Sequence, residues 1–135
     1  MFNTHPRCRI AKAAVARYVR SVLRSERKPN AEIAVVFFGS RACRRMNRRY
    51  LGHDEPTDVI SFPLGGAETV EGEVYVNIDR ARAQARTYVV AFGTEIARLV
   101  VHGTLHLVGY DDRTPRAAAR MKNTEDACVR RFCSP

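Results

Sequence analysis

Apolar Ile10, Ala14, Tyr18 and Val22 recur every fourth residue, the spacing of one face of an α-helix. A helix is therefore expected over residues 9–23, broken by Lys28-Pro29-Asn30. The pattern then becomes an unbroken apolar run, Ile33-Ala34-Val35-Val36-Phe37-Phe38, whose length and β-rich composition suit a buried strand. Ser40 is placed to cap a second helix, on which Ala42, Cys43, Met46 and Tyr50 share one side. A loop over 51–56 leads to expected strands at 57–62 and 73–77, separated by Pro63 and the Gly65-Gly66 turn. Their imperfect alternation implies a sheet covered mainly on one face.

Asp79 is the expected cap of a helix reaching Val89, and Phe92-Gly93-Thr94 an expected interruption. Thr94 would cap the next helix, which carries Ile96, Leu99, Val100, Gly103 and Leu107 and ends at Gly109. Thr114-Pro115 opens a last helix towards Phe132, with proline at its first position. The order of helix, strand, helix, two strands and further helices describes one α/β (α+β) domain over residues 1–135.

Composition changes this picture in one respect. A length of 135 residues and a hydrophobic share of 45% suit one domain with one core. The net charge of +9, with 20 arginines among 23 basic residues, is unusual. Guanidinium groups meet phosphate through two hydrogen bonds, so the excess suggests a polyanionic partner. The habit of a GC-rich genome would explain the Arg/Lys ratio, but less well the net charge. Arg41, Arg45 and Arg49 follow one another at i, i+4 and i+8, with Arg44 and Arg48 beside them. They give the second helix an outer row of guanidinium groups suited to a nucleic-acid backbone; each taken singly reads as a solvated surface residue. Cys8, Cys43, Cys128 and Cys133 form no C-x-x-C pair, which fits reduced, packed thiols better than a disulfide framework or a zinc-thiolate site. The charged first twenty residues contain no apolar run, so a cytoplasmic protein is expected.

The chemistry concentrates in His102-Gly103-Thr104-Leu105-His106-Leu107-Val108-Gly109-Tyr110-Asp111-Asp112. Two helical residues four apart differ by about 40° and one turn of rise, so the two imidazoles project side by side as in helical zinc sites. Gly103 leaves room for a close neighbour. Gly109 can turn the chain back and bring Asp111 or Asp112 to the same ion. Spacing alone leaves a second reading open, in which the histidines pack and the aspartates form a turn before the last helix. His5 and His53 read as exposed loop residues.

The run His102 to Asp111 resembles the signature H-G-x-L-H-L-x-G-Y-D-H of the YbeY family of bacterial endoribonucleases, or rRNA maturation factors. Upstream, Pro56-Thr57-Asp58-Val59-Ile60-Ser61-Phe62-Pro63 is similar to that family's P-T-D-V-L-S-F-P segment. Gly72-Glu73-Val74 is similar to its G-D-I strand start, and the helix with Gln84-Ala85 fits as well. The resemblance spans residues 30–112 with the elements in the same order. It implies a single domain with a small mixed sheet of about four strands packed by helices, and a metal site on a helix of the C-terminal half and the following loop. It also implies one divalent, zinc-like ion held by three histidines, and a role in ribosomal RNA processing and ribosome quality control. The partners it suggests are ribosomal RNA or a ribosomal subunit, with a ribosomal protein or assembly GTPase as further ones.

Carried over, His102 and His106 become the first two ligands and Asp112 falls on the third, where the family has histidine. A carboxylate binds zinc at a similar distance, although the shorter side chain requires a closer loop. Asp111 is the alternative ligand, or a support for the loop or a ligand histidine. A second departure is Leu51, after Tyr50, where family members usually carry an arginine implicated in activity.

The expected activity is metal-dependent endonucleolytic cleavage of single-stranded RNA, with a metal-activated water or the RNA 2′-hydroxyl attacking; no general base is evident. A metalloprotease would need a glutamate after the first histidine, and this chain has Gly103. Other readings are a non-catalytic RNA-binding ribosome-assembly factor and a metal-dependent hydrolase of small phosphates.

Overall fold

In a computed structural model of the protein, residues 2–3, 10–28, 30–39, 58–65 and 69–133 are described. The expected second helix with its arginine row, together with Leu51, His5 and His53, lies outside these residues.

Val15, Val19, Val22 and Leu23 recur at helical intervals and form the buried face of α1 (Lys12–Ser25). The helix starts three residues later than the periodicity implied, because Ile10 packs on the core from outside it. The sheet has three strands of five to seven residues, β2 (Glu32–Phe38), β3 (Val59–Pro63) and β4 (Glu71–Asn77). A two-residue β1 (Phe2–Asn3) is added at its edge, in the order β1-β2-β4-β3. β2 runs parallel to β1 and β4, and β3 runs antiparallel to β4. The expected sheet of about four strands is thus three full strands and one short pairing. Pro63 closes edge strand β3 opposite Gly72, where its missing N–H interrupts no inner ladder.

Three helices complete the described chain: α2 (Ile78–Tyr88), α3 (Phe92–Leu107) and α4 (Pro115–Cys133). The cap of α2 is Asn77, whose side chain accepts from the Arg80 N–H at 3.2 Å, and not Asp79, which lies in the first turn. Asn77 takes this role because β4 runs directly into the helix, leaving its last residue extended. Phe92-Gly93-Thr94 does not interrupt the helices but forms the first turn of α3, so Thr94 is no cap. Amide groups in a first turn have no intrahelical partner, and Gly93 is tolerated there. The break falls earlier, at Val89, whose φ is 55°. Thr114 and Pro115 act as expected, the Thr114 hydroxyl accepting from the Ala117 N–H at 3.0 Å.

The core is organised by α3. One cluster joins it to α1, α2 and the sheet through Val15, Phe37, Val74, Val76, Ile78, Ala81, Ile96 and Val100. Another joins it to α1 and α4 through Val22, Val101, Leu105, Met121, Cys128 and Val129. A helix buried on so many sides is apolar nearly all round, and α3 carries nine buried residues out of 16. Phe38, Ile60, Phe62 and Tyr75 form a separate apolar group. No helix among the described residues is long and apolar enough to cross a membrane.

Contact between α3 and the sheet is closest at Gly103. A Cβ added there would run into Val74 Cγ1 and lie 3.1 Å from Val59 Cγ2 and 3.2 Å from Ser61 Oγ. Glycine inside a helix costs about 1 kcal/mol relative to alanine. Each valine that the contact helps to bury contributes about 1.5–3 kcal/mol, so the close approach outweighs the propensity loss. Ser61 Oγ donates to the Gly103 carbonyl at 2.9 Å and fixes the helix along β3. Gly103→Ala is therefore expected to destabilise the protein by about 1–3 kcal/mol in urea denaturation, despite the better helix propensity of alanine. Unchanged stability would mean that the contact is not a tight one.

Candidate metal centre

Packing leaves α3 one open stripe, on which Arg98, His102 and His106 recur every fourth residue and are half-buried. The two histidine rings meet at 81° with their Nε2 atoms 3.1 Å apart. Their outer nitrogens are both engaged. His102 Nδ1 lies 2.6 Å from Glu125 Oε1, and His106 Nδ1 lies 3.1 Å from the Tyr110 carbonyl oxygen. A carbonyl only accepts, and so does a carboxylate, so each Nδ1 is the donor and each Nε2 is left with its lone pair. Two lone pairs facing each other repel unless a proton or a cation sits between them. Two nitrogen ligands of a tetrahedral ion with bonds of 2.0–2.1 Å lie about 3.3 Å apart, close to the separation found.

The end of α3 delivers the third donor. Gly109 N–H bonds to the His106 carbonyl at 3.2 Å and Tyr110 N–H to the Leu105 carbonyl at 3.0 Å, which is the Schellman turn. The same turn closes α1 at Arg27 and α2 at Val89, with φ near 55–58°. At Gly109 φ is 113°, outside the region that side-chain-bearing residues adopt, and the turn at the site therefore requires glycine. Beyond it, Asp111 Oδ1 accepts from the Arg113 N–H at 3.0 Å and shapes the loop. Asp112, exposed, comes within reach of the histidines: donor atoms of His102, His106 and Asp112 all lie within 4.8 Å of one another. The shorter carboxylate is thus brought close enough to join the pair, and Asp111 is not part of this group. Two imidazole nitrogens and a carboxylate can hold a divalent ion, and the set suits zinc.

Further groups around the histidines have no counterpart in the sequence motif. Arg98 Nη1 donates to Glu125 Oε2 and to Asp126 Oδ1, both at 2.7 Å, and Lys122 Nζ lies 3.6 Å from Asp126. Glu125 is buried in α4 between the apolar positions Met121, Cys128 and Val129. A carboxylate there needs compensation, and it has both Arg98 and His102. A charged residue at i+4 from Met121 in a buried stripe was the only local sign of it. Burial pulls the His102 imidazole towards its neutral form. The Glu125 hydrogen bond and the charges of Glu125, Asp58 and Asp112 outweigh this and raise its pKa. The same negative field favours a cation. Burial raises the Cys128 thiol, which stays protonated as a core residue.

The P-T-D-V-I-S-F-P segment, described from Asp58 on, fastens this centre to the fold. Asp58 Oδ1 accepts from the Val59 N–H at 2.8 Å and Oδ2 from Gln84 Nε2 at 3.2 Å, tying β3 to α2. Ser61 ties β3 to α3 at the residue between the two histidines.

The fold is similar to the solution structure of TM1509 from Thermotoga maritima, with a TM-score of 0.71 at 23% identity over 97% of this chain and 87% of that one. In sequence, the chain is 42% identical over 126 residues to endoribonuclease YbeY of Chlorobium luteolum, covering 93% of this chain and 92% of that protein. It is 37% identical over 132 residues to the protein of the same name from Chlorobaculum parvum, covering 98% and 93%. The family model described as endoribonuclease YbeY matches residues 2–133. Signature, fold and full-length similarity agree, and the chain belongs to the YbeY endoribonuclease family.

Proposed function

We propose that this protein is a metal-dependent endoribonuclease that cleaves single-stranded RNA in the cytoplasm during ribosomal RNA maturation and ribosome quality control. The observation that carries the reading is the convergence of His102 Nε2, His106 Nε2 and the Asp112 carboxylate while both Nδ1 atoms are engaged elsewhere. These three residues would hold one divalent ion, zinc by donor type. Such an ion, when bound, supplies Lewis-acid activation of a water and polarisation of a phosphoryl oxygen.

The chain's own residues prepare that site. Glu125 holds the His102 ring in one orientation and tautomer, and Arg98 pairs directly with the Glu125 carboxylate. The Tyr110 carbonyl does for His106 what Glu125 does for His102. Asp112 adds a negative charge that a third histidine would not. Among the described residues no side chain stands out as general base, and a water or the RNA 2′-hydroxyl would be the attacking group. Arg41, Arg44, Arg45, Arg48 and Arg49 are proposed to bind the RNA backbone through sequence-independent contacts. The substrate would be ribosomal RNA, free or in a subunit, and a ribosomal protein or an assembly GTPase would be a further partner.

The departures at Leu51 and Asp112 favour a second reading, a ribosome-assembly factor that binds RNA without cutting it. One comparison separates the two. Cleavage of a single-stranded RNA by wild type that falls to background in His106→Ala identifies the enzyme; binding without cleavage in both proteins leaves the assembly factor. Asp112→Ala is expected to lower the metal content of protein purified without chelator, and unchanged content removes Asp112 from the site. Glu125→Gln should keep the fold but weaken zinc affinity about 10–100-fold, measured by competition with a chromogenic chelator. An affinity equal to wild type would reduce Glu125 to a packing residue. Replacing Arg44 and Arg48 by glutamate should weaken RNA binding and flatten its log–log salt dependence by about 0.7 per lost phosphate contact; an unaltered slope places the RNA elsewhere.

A further inference from the structure

His102 borders a second feature besides the metal-ligand group, a cavity of about 490 Å³ between the end of α2, the open stripe of α3, and α4. Its polar wall includes Asp58, Gln84, Glu95 and Arg98, and its apolar wall Tyr88, Val90 and Leu99. Most of these polar groups are already partnered. Asp58 and Gln84 bond to each other, Arg98 bridges Glu125 and Asp126, and Lys122 faces Asp126.

Glu95 is the exception. It is 2% exposed, lines the cavity, and among the described residues its carboxyl has no hydrogen-bonding partner. Burying a carboxylate without donors is costly, and buried polar groups left unpaired in native proteins call for an explanation. Burial raises the pKa of Glu95, the nearby Arg98 charge opposes this, and the Asp58 and Glu125 charges add to it. The group therefore lacks donors that a ligand in the cavity can provide.

The chemistry of the walls narrows the ligand. Asp58, Glu95 and Glu125 would repel a phosphate, and the two cations of the wall, Arg98 and Lys122, are engaged with acids. A metal ion is disfavoured by Arg98 in the same wall; among the described residues, donor atoms converge as a metal-binding group at His102, His106 and Asp112. What remains is a neutral planar group with N–H donors. Tyr88, 63% exposed, offers such a group a ring face, and Leu99 and Val90 an apolar surface. Unstacked RNA bases are recognised in this way, by aromatic contact and by hydrogen bonds to the Watson–Crick edge. Of the four bases, guanine alone presents two adjacent donors, N1–H and the 2-amino group, matching the two oxygens of a carboxylate.

We propose that this cavity is a nucleobase subsite of the RNA-cleaving centre, selective for guanine through Glu95. The proposal rests on the reading of the metal centre as an RNA-cleaving site. Because His102 belongs to both walls, a nucleotide whose phosphate meets the metal ligands can place its own base against Glu95.

The test is titration of GMP, AMP, CMP and UMP, one at a time, into the full-length zinc-loaded protein, followed by amide chemical shifts. The phosphate is common to all four and serves as internal control. GMP should bind at least about tenfold more tightly than UMP, as expected for hydrogen bonds to a charged group, with shifts at Gln84, Glu95 and Leu99. Glu95→Gln should abolish that margin, and Tyr88→Ala should weaken all four by about tenfold through lost stacking. Equal binding of the four nucleotides by wild type, or shifts confined to residues 102–112, overturns the subsite without any variant. A guanine margin that survives Glu95→Gln overturns the role of Glu95. The nuclease reading fails separately: a guanine margin in a protein that cuts no RNA supports the subsite and rejects the enzyme, and cutting without a margin does the reverse.

Discussion

Helix α3 lies against β3 and β4 at a separation that only a residue without a side chain allows, and Gly103 supplies it at the position between the two histidines. Everything at the centre depends on that contact. It sets the rotation of the helix, so that Val100 and Leu105 face the core while Arg98, His102 and His106 share the open stripe. Ser61 then locks the helix along the sheet through the Gly103 carbonyl. A side chain at 103 would push the helix outwards or roll it, moving both imidazoles relative to the loop that carries Asp112.

Around this contact the molecule meets a difficulty common to metal centres, that polar groups must be held firmly in a partly buried place. The outer nitrogen of each histidine is satisfied by a different device. For His106 it is a backbone carbonyl created by the helix-ending turn, available because Gly109 adopts a φ of 113°. For His102 it is a carboxylate brought by another helix and balanced by Arg98. The first device is local and follows from the five residues His106 to Tyr110. The second needs the whole tertiary structure.

That difference explains what could be read in advance. The histidine pair, the turn at Gly109 and the Thr114-Pro115 helix start were legible because each depends on neighbours within about one helical turn. The motif pointed to Asp112, and the loop brings its carboxylate within 4.8 Å of the histidine donor atoms. The cap at Asn77 was missed because Asp79, two residues on, carries an equally good capping side chain; the choice depends on where β4 stops. Glu125 and Glu95 were missed for a stronger reason. Their partners or surroundings come from separate helices, and a lone acidic residue within an amphipathic pattern looks like an ordinary surface position until the helices are packed.

The attachment of Glu125 to α4 ties the site to the rest of the chain by thermodynamic reciprocity. A cation at the Nε2 atoms favours the His102 tautomer that donates to Glu125, and hence the docked position of the C-terminal helix. Docking, by the same cycle, must raise affinity for the cation by an equal factor. Met121, Cys128 and Val129 anchor α4 to α3 and α1, so their packing would be coupled to the occupancy of an ion there, although none of them lies in the group of three donor residues. The C-terminal helix would thus act as an internal effector of the centre, and changes in its hydrophobic seam would reach a bound ion through the Glu125 carboxylate.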